Sequence, residues 1–495
     1  MKINPSININ NFISKIVLLL IITTIVNTNS FGQKSYSLFE MVETAKISSV
    51  EAQKARNRYQ NQYWNYRVYK SDLKPQVGFD ATLPNFSRDI RLVPQGDGNN
   101  DFQYISQMTT QGNLSVTQNT PLGGQIFMSS KLQRFDNLIT NELYYNANPA
   151  IIGYQQSILG FNKYKWDKKI SPLRYEEAER AYQENMEMVA FQVSNFFFDL
   201  LIAQISYNIA DINKANNDTL YKISEGRFRL GKIAENELLQ MRLSVMNAQN
   251  DMKMAELSLL TSQLNLKRFV GLDDNNMKLI EPQSVPFFKI DEKVAIEMAN
   301  KKRSDVLRFD RKQLEGERDL AKAKGESGFQ AELFATYGLT QTGSDISSAY
   351  KNPQNQQGVS FGIDIPILDW GKTKARVQSA KSNKELIDNT IEQDKQNFEQ
   401  EIFIQTRSYE MLRQQLELSK VADTVAIRRY DIARKRYLLG KIGITDLNIA
   451  LADKDRAKKS YLMSLKSFWS AYFRLRLLTM YDFEKGIEIE YDLPY

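Results

Sequence analysis

The side chains of this chain that could do chemistry are carboxylates and amines, because its 495 residues include no cysteine and no histidine. That composition excludes a disulfide framework, a Cys/His zinc or iron–sulfur site, a thiol nucleophile and a Ser-His-Asp triad. A pair of carboxylates in a pocket would still allow hydrolysis, but no acidic residues have the spacing of a catalytic motif. We therefore expect no catalytic residue, no metal site and no cofactor.

Charge and targeting signals limit the possible partners. A formal net charge of +7 spread over the whole chain is weak evidence for binding nucleic acid, and we expect none. Residues 1–32 are typical of a secretory signal peptide, because two lysines precede an apolar stretch at 16–26 and small residues follow at Ser30 and Gly32. The apolar stretch is too short to span a bilayer, so export is predicted.

Two acidic residues attract attention because they occupy equivalent places in an internal repeat. The segment Arg227–Ile233 (RFRLGKI) recurs as Arg436–Ile442 (RYLLGKI). Four residues after each isoleucine comes a carboxylate followed by leucine, at Glu237 and at Asp446. A second pair of similar segments has the same offset, which argues against coincidence. The chain is therefore predicted to be an internal duplication.

Each half changes from a helical pattern to a strand pattern and back. Stretches without glycine or proline predict helices, and alternation of apolar with polar residues predicts strands. The two longest helices would each measure about 100 Å, and the two shorter helices of a repeat, placed end to end, would match that length. The predicted bounds are as follows: first repeat 33–272, with helix 49–72, strands within 75–159, long helix 163–229 and short helix 234–269; linker 273–290; second repeat 291–480, with helix 304–326, strands within 329–366, long helix 372–439 and short helix 443–478; tail 481–495.

The predicted strands have one apolar face and one polar face. The clearest alternation places Val359, Phe361, Ile363 and Ile365 on one face, with polar residues between them. Such strands fit either a soluble sandwich or a membrane β-barrel whose apolar face meets lipid. A further hairpin predicted over 112–135 would be an outer loop or two additional barrel strands. One chain offers too few strands to close a barrel, so several copies would have to share it.

The duplicated order of helix, strand pair, long helix and short helix resembles the TolC-like outer-membrane efflux (outer-membrane factor) family. The resemblance is carried by Phe361–Ile367 (FGIDIPI) with Gly371, by Arg436–Lys441 (RYLLGK) and by Thr445–Leu447 (TDL). It implies a mainly α protomer of long coiled-coil helices with a membrane β part, and a homotrimer that closes one shared β-barrel in outer-membrane lipid.

The resemblance also implies a function and a location. The trimer would lie in the outer membrane of a Gram-negative bacterium, and its helices would form a tunnel that extends into the periplasm. There it would dock on a periplasmic adaptor and an inner-membrane pump or ABC exporter, so that small molecules or proteins leave through it. The alternative is a periplasmic coiled-coil adaptor or structural protein without a barrel, although such a protein would need no amphipathic strands.

Three groups of candidate site residues follow from the resemblance. Asp446 and Glu237 would form rings of three charges at a pore constriction, or would simply be carboxylates favoured at a helix N-terminus. The family often has a second acid three residues later, where this chain has Ile449. The residues Val359, Phe361, Ile363 and Ile365 would face lipid. The candidate tip for adaptor docking comprises Arg227, Leu230, Gly231, Lys232, Arg436, Tyr437, Leu439, Gly440 and Lys441.

The two glycines of the tip have an expected role of their own. Gly231 and Gly440 are predicted to permit the turn between a long and a short helix, where a Cβ atom would clash. The cations beside them would either contact the adaptor or lie in solvent near a helix C-terminus, where positive charge is favourable.

Overall fold

The computed structural model describes residues 35–494 except 95, 97, 275 and 276, so the predicted signal peptide lies outside the described residues. The chain divides into two compact units, each assembled from three segments. We name them the turn unit, after its two helix-to-helix turns, and the sheet unit, after its large β-sheet. Of the described residues, the turn unit comprises those within 35–52, 189–287 and 412–470, and the sheet unit comprises those within 53–188, 288–411 and 471–494.

The described residues form nine helices, and the longest two have 67 residues each. Neither the second long helix nor most of the first contains glycine or proline, which explains why they continue so far. In chain order the helices are α1 (Leu38–Ser48), α2 (Val50–Asp72), α3 (Lys163–Arg229), α4 (Glu235–Val270), α5 (Glu292–Lys302), α6 (Ser304–Gly325), α7 (Ile346–Ala349), α8 (Lys372–Leu438) and α9 (Ile444–Thr479).

Both repeats begin with the same pair of helices, α1–α2 and α5–α6. One residue separates the helices of each pair, Ser49 in the first repeat and Arg303 in the second. Each has an extended backbone, and its N–H donates to the carbonyl four residues earlier, at 3.0 Å and 2.9 Å. Ser49 therefore caps α2 rather than belonging to it, and α2 begins one residue later than predicted. The predicted duplication is confirmed.

The end of a shorter helix meets the start of another in each repeat. In the turn unit, the Ser48 hydroxyl donates to the carbonyl of Val270, the last residue of α4, at 2.7 Å. In the sheet unit, the Arg303 guanidinium donates to the carbonyl of Leu477, near the end of α9, at 2.9 Å. Each contact therefore joins the end of a short helix to the junction between the first two helices of its repeat.

One antiparallel sheet of six strands dominates the sheet unit. In chain order its strands are β2 (Gln76–Pro94), β3 (Asn100–Asn119), β4 (Gln125–Asn137), β5 (Glu142–Ile158), β7 (Gln330–Gly343) and β8 (Gln354–Asp364). They lie side by side in the order β2-β3-β4-β5-β7-β8. The hairpin predicted over 112–135 is the joined ends of β3 and β4, so it adds two strands and is not a loop.

Two further pairings join strands of only two residues each. One of them is parallel and lies in the turn unit, and the other is antiparallel and lies in the C-terminal tail. The pairs are β1 (Ser35–Tyr36) with β6 (Lys278–Leu279), and β9 (Tyr481–Asp482) with β10 (Ile487–Glu488).

The second repeat's strands are shorter than the predicted range 329–366. The connection between β7 and β8 contains α7, which begins after Asp345, whose carboxylate accepts from the Ser348 N–H at 2.9 Å. Ile365, predicted as a lipid-facing strand residue, lies one residue beyond the end of β8. The strand stops there because Pro366 has no N–H to donate to a neighbouring strand.

Each unit has its own apolar core. The core of the sheet unit gathers residues of α5, α6, α8 and α9, and the core of the turn unit is described with the turns below. The buried residues of the sheet-unit core are Ala295, Ala299, Phe309, Ile391, Phe398, Ile402 and Leu478.

Among the described helices, α3 contains an 18-residue segment that is apolar enough by composition to cross a membrane. Half of that segment is buried inside the chain.

The C-terminal tail is attached to the sheet unit by ion pairs. Lys302 lies 2.6 Å from Glu488 and 2.8 Å from Glu490, and Lys301 also contacts Glu488. The hydrogen bonds from Lys301 and Lys302 lower the pKa of Glu488 to about 2. Since the ordinary value is 4.5, this carboxylate strengthens tail attachment above that pH and loses its effect as the pH falls toward 2.

We expect Glu488→Gln to loosen the tail at neutral pH, because Lys301 loses its charged acceptor in the tail and Lys302 keeps only Glu490. Backbone amides of 481–494 should then exchange with solvent at pH 6 as quickly as wild-type amides do below the pKa of Glu488, after correction for intrinsic rates. Asp492→Asn, at an exposed position, serves as the control and should leave exchange unchanged. Equal protection in Glu488→Gln and wild type would contradict this role.

Candidate functional site

The two helix-to-helix turns of the turn unit have the same hydrogen bonds. The Gly231 N–H donates to the carbonyl three residues earlier and the Lys232 N–H to the carbonyl five residues earlier, both at 2.9 Å. Gly440 and Lys441 make the same two bonds at the same lengths. This is the Schellman arrangement, in which a residue in the left-handed region ends a helix.

The reason for glycine at these turns differs from the one predicted. A Cβ built on Gly231 or Gly440 would have no heavy atom within 4 Å, so no clash occurs. The backbone φ angles are +65° and +69°, values that L residues with a side chain rarely adopt. Glycine is therefore favoured by the backbone conformation rather than by lack of space.

Arg227 of the candidate tip makes intramolecular contacts. Its guanidinium donates to the carbonyls of Tyr437 at 3.4 Å and Leu438 at 2.9 Å, and its carbon centre lies 5.2 Å from the centroid of the Tyr437 ring. These carbonyls belong to the last turn of α8, where the helix itself supplies no N–H four residues later; the Tyr437 carbonyl also accepts from the Gly440 N–H. Arg227 thus satisfies the C-terminus of α8 from α3, as a cation near a helix C-terminus should.

Tyr437 lies inside the turn unit rather than on its surface. Only 4% of the residue is exposed, and its hydroxyl shares a 3.0 Å hydrogen bond with the buried Ser224 hydroxyl. A partner docking on the turns cannot contact this ring, so we remove Tyr437 from the candidate tip. The buried residues of the core beneath the turns are Leu220, Met241, Tyr430, Tyr437, Ile444, Leu447 and Ala450.

The remaining residues of the tip are exposed. Leu230 and Leu439 follow the last residues of α3 and α8 and are at least 70% exposed. An apolar side chain flanked by cations at each turn is a surface to which another protein can bind. The exposed cations beside these leucines are Lys232, Arg436 and Lys441.

The two candidate pore carboxylates lie in equivalent first turns. Asp446 is in the first turn of α9 and exposed, whereas Glu237 is in the first turn of α4 and half-buried. Ile449, one turn after Asp446, is also exposed. Asp446 therefore belongs to a helix face that the described part of the chain leaves uncovered, which suits a residue facing a lumen better than Glu237 does.

A polar cluster lies on the buried side of α8 in the turn unit. The Lys458 ammonium is 3.8 Å from Asp423 and 3.9 Å from Glu281, and the Tyr461 hydroxyl donates to Glu281 at 3.0 Å. Burial raises the pKa of Asp423, which the nearby Lys458 partly offsets. Burial likewise raises the pKa of Tyr461 above its ordinary value. The cluster fastens the segment that follows α4 to α8 and α9.

Helix α8 has two apolar stripes within the turn unit, each with a seven-residue period. One stripe is buried and consists of Leu416, Asp423, Tyr430 and Tyr437, of which only Asp423 is not apolar. The other begins two residues later, so it lies on the opposite side of the helix. Its residues are between 52% and 73% exposed, and they are Leu418, Val425 and Ile432.

Helix α4 has a matching exposed stripe. Its residues are spaced three or four apart on either side of an interval of eleven residues, where Asn250 and Lys253 occupy the positions of the heptad pattern of a coiled-coil seam. We call this stripe and the exposed stripe of α8 the two open seams. The open seam of α4 consists of Leu239, Leu243, Met246, Leu257, Leu260 and Leu264, each more than half exposed. Sequence reasoning did not single out these residues, although their heptad spacing was available to it.

The sheet places the predicted lipid-facing residues on one face. Val359, Phe361 and Ile363 alternate along β8 and are each more than half exposed. Their neighbours on β7 are Ala335, Leu333 and Ala331, and directly opposed residues of paired strands share a face. Polar residues, such as Ser360 and Asp364, occupy the other face.

Replacing the turn glycines tests the backbone explanation. Gly231→Ala and Gly440→Ala should each destabilise the chain by about 1–2 kcal/mol, because alanine must adopt a left-handed conformation. Gly226→Ala is a matched control inside α3, where an added Cβ would also meet open space, and should stabilise by about 0.5–1 kcal/mol. The change in the unfolding midpoint in detergent measures whether each variant is stabilised or destabilised. A change of the same sign in all three variants would refute the explanation.

The sequence matches the family described as Outer membrane efflux protein over residues 121–272 and 306–479. None of the curated proteins matches it. The fold is similar to the Campylobacter jejuni CmeC outer membrane channel (TM-score 0.67, 17% identity, 92% of this chain and 87% of that one). It is also similar to the Vibrio cholerae outer membrane protein VceC (0.62, 13%, 92% and 97%) and to the open state of the Neisseria gonorrhoeae MtrE outer membrane channel (0.60, 14%, 89% and 88%).

These matches confirm the resemblance on which the predicted fold class rested. The family match covers more than half of the chain and includes both repeats. The protein lies in the outer membrane of a Gram-negative bacterium and extends into the periplasm, and it belongs to the outer membrane efflux protein family.

Proposed function

We propose that three copies of this chain form a channel that is the exit duct of a tripartite efflux pump or a type I secretion system. The observation that carries this proposal is the pair of open seams on α4 and α8. Burying a leucine side chain is worth about 1.5–3 kcal/mol, so two leucine-rich seams left in water would be costly. Membership of a family of efflux channels supports transport as the purpose of the assembly.

The seams lie on different helices, which decides the kind of assembly. When the seam of α4 packs against the seam of α8 in the next copy, the contact is head-to-tail, and such contacts form a ring when the rotation between copies closes. Each chain then has one neighbour on each side. Helices with apolar stripes on two sides would surround a central tunnel, and three copies agree with the trimers of the family.

The sheet and the turns would each bind a partner of their own. The exposed apolar face that includes Phe361 would meet outer-membrane lipid, as in other barrels. The exposed leucines and cations of the turns, including Leu230, Lys232, Leu439 and Lys441, would dock a periplasmic adaptor that is coupled to an inner-membrane pump or ABC exporter. A stand-alone adaptor would have no use for a sheet with such a face.

Asp446 is our candidate for the narrowest part of the tunnel. Threefold symmetry would bring three copies of its exposed carboxylate to one level, where charge rings select cations. Glu237 is half-buried and would contribute less. The cargo itself would be chosen by the pump, since a tunnel wall of this kind has no built pocket for one ligand.

Disrupting an open seam should separate the copies. Leu257→Asp replaces a seam residue with a charge that the assembly would have to bury, in all three copies at once. The trimer fraction measured by native mass spectrometry in detergent should fall sharply. Ser258→Asp introduces the same charge at the adjacent exposed position, off the seam, and should stay trimeric. A stable trimer of Leu257→Asp would exclude the α4 seam from the interface.

Neutralising the candidate constriction should change permeation without changing assembly. Asp446→Asn alters the volume little, so trimers should form, but cation preference in a planar bilayer should drop and any block by multivalent cations should weaken. Glu237→Gln should have the smaller effect. If Asp446 is only a helix-terminal carboxylate, its removal costs about 0.3–1 kcal/mol of helix stability and leaves selectivity as it was. Unchanged selectivity and unchanged block would therefore exclude Asp446 from the pore.

A further inference from the structure

The first repeat contains two strands that the second repeat lacks. β2 follows α2 as β7 follows α6, and β5 precedes the long helix α3 as β8 precedes the long helix α8. The strands without a counterpart are β3 and β4, which lie between β2 and β5 in the sheet. This inserted hairpin either belongs to the barrel wall or stands apart from it.

The pairing of the inserted hairpin is continuous on both sides. β3 pairs with β2 from Gln76–Thr117 to Pro94–Asn100, and β4 pairs with β5 from Gln125–Gln155 to Asn137–Glu142, with one irregularity on each side. If the hairpin left the wall, β2 and β5 would lose all of these hydrogen bonds. The hairpin therefore cannot swing away without unpairing two other strands.

An aromatic contact also fixes β4 to the second repeat. The ring of Phe127 stacks on Phe334 of β7 with centroids 5.8 Å apart, across the intervening strand β5. This is possible because the residue between them is Gly153, where a Cβ would come within 2.2 Å of the Phe127 ring. The inserted strand is thus packed against strands of both repeats.

The apolar face of the sheet continues through the inserted strands. Directly opposed residues run across five strands as Val77, Val116, Met128, Ile152 and Tyr337, and opposed residues share a face. The next residues on β3 and β4, Ser115 and Ser129, are opposed to each other on the polar face. A loop outside the wall would not need apolar and polar residues that alternate in register with those of the neighbouring strands.

The connection between β7 and β8 lies beside the inserted strands. Its Tyr350 lines a small cavity of about 360 Å³ together with Thr110 and Leu114 of β3 and Leu132 and Arg134 of β4. Farther along β2 and β3 the same face is again apolar, with the opposed pairs Ile90–Tyr104 and Leu92–Phe102. The apolar face of the inserted strands thus continues with that of β2.

We infer that all six strands of each chain are wall strands, so that three chains close a barrel of eighteen strands. This inference rests on the proposed trimeric channel. Because six is an even number, β8 of one chain runs antiparallel to β2 of the next, and the two free edges can pair. Strands about 4.8 Å apart and tilted by about 40° would give a backbone diameter of about 35 Å, against about 24 Å for four strands per chain.

The number of strands sets the width of the exit. Barrels of sixteen to eighteen strands leave an open aqueous channel even after side chains fill part of the lumen, whereas a narrower barrel leaves much less room. The barrel would therefore not be the narrowest part of the duct, which agrees with a constriction at Asp446.

Single cysteines test the position of the inserted strands, because the chain has no other cysteine. Leu114→Cys and Met128→Cys place a polarity-sensitive fluorophore on the apolar face of β3 and β4, and Ser115→Cys and Ser129→Cys place it on the polar face. Phe361→Cys and Ser360→Cys of β8 are the matched controls. The labelled protein is reconstituted in vesicles that contain lipids with brominated acyl chains.

We expect quenching at Leu114 and Met128 to equal that at Phe361, several-fold above the quenching at the three serine positions. If quenching alternates between the two faces on β8 but not on β3 and β4, the inference is overturned, while the proposed membrane barrel stands. Alternation on none of the strands would instead refute the proposed membrane channel. Electron cryomicroscopy of the detergent trimer viewed along its axis gives the second measurement, and a wall about 24 Å across rather than about 35 Å would also overturn the inference.

Discussion

The structure depends on the fact that α8 has apolar residues on two opposite sides. A helix at the edge of a bundle needs one apolar stripe, but Tyr430 faces a core while Val425 faces away from it. Only a second neighbour can cover the outer stripe, and no described residue of the same chain does so. The open seam of α4 is likewise apolar and exposed, so it also lacks a neighbour that covers it. The proposed assembly would bury both open seams through the same kind of heptad pattern that stabilises the protomer.

Local patterns in the sequence predicted much of the fold. Long stretches without glycine or proline predicted both 67-residue helices to within one residue, and the recurrent Gly-Lys predicted the two turns. Alternation identified β8 but extended it to Ile365, because alternation by itself does not reveal that Pro366 ends the hydrogen-bonded ladder. The bounds of the shorter helices differ from the predicted ones by one residue, as expected where no side chain caps the helix at Ala234.

The features that sequence reasoning missed are those that depend on distant residues. Nothing in RFRLGKI indicates that Arg227 reaches the carbonyls of another helix, or that Tyr437 is the ring beneath it. The number of strands in the sheet could not be predicted for the same reason, since β3 and β4 are defined by their pairing with β2 and β5. The open seams are different, because their seven-residue spacing could have been counted.

The two repeats contribute four and two strands to the six-stranded sheet, and because both numbers are even they constrain how such a sheet can change during evolution. With an odd number of strands, the following long helix would begin at the opposite end of the strands. Strands can therefore be gained only as whole hairpins. The helices α3 and α8 have kept equal lengths although only one repeat carries the extra hairpin. In a threefold assembly each new hairpin adds six strands at once, so the mouth of the duct can widen only in discrete steps.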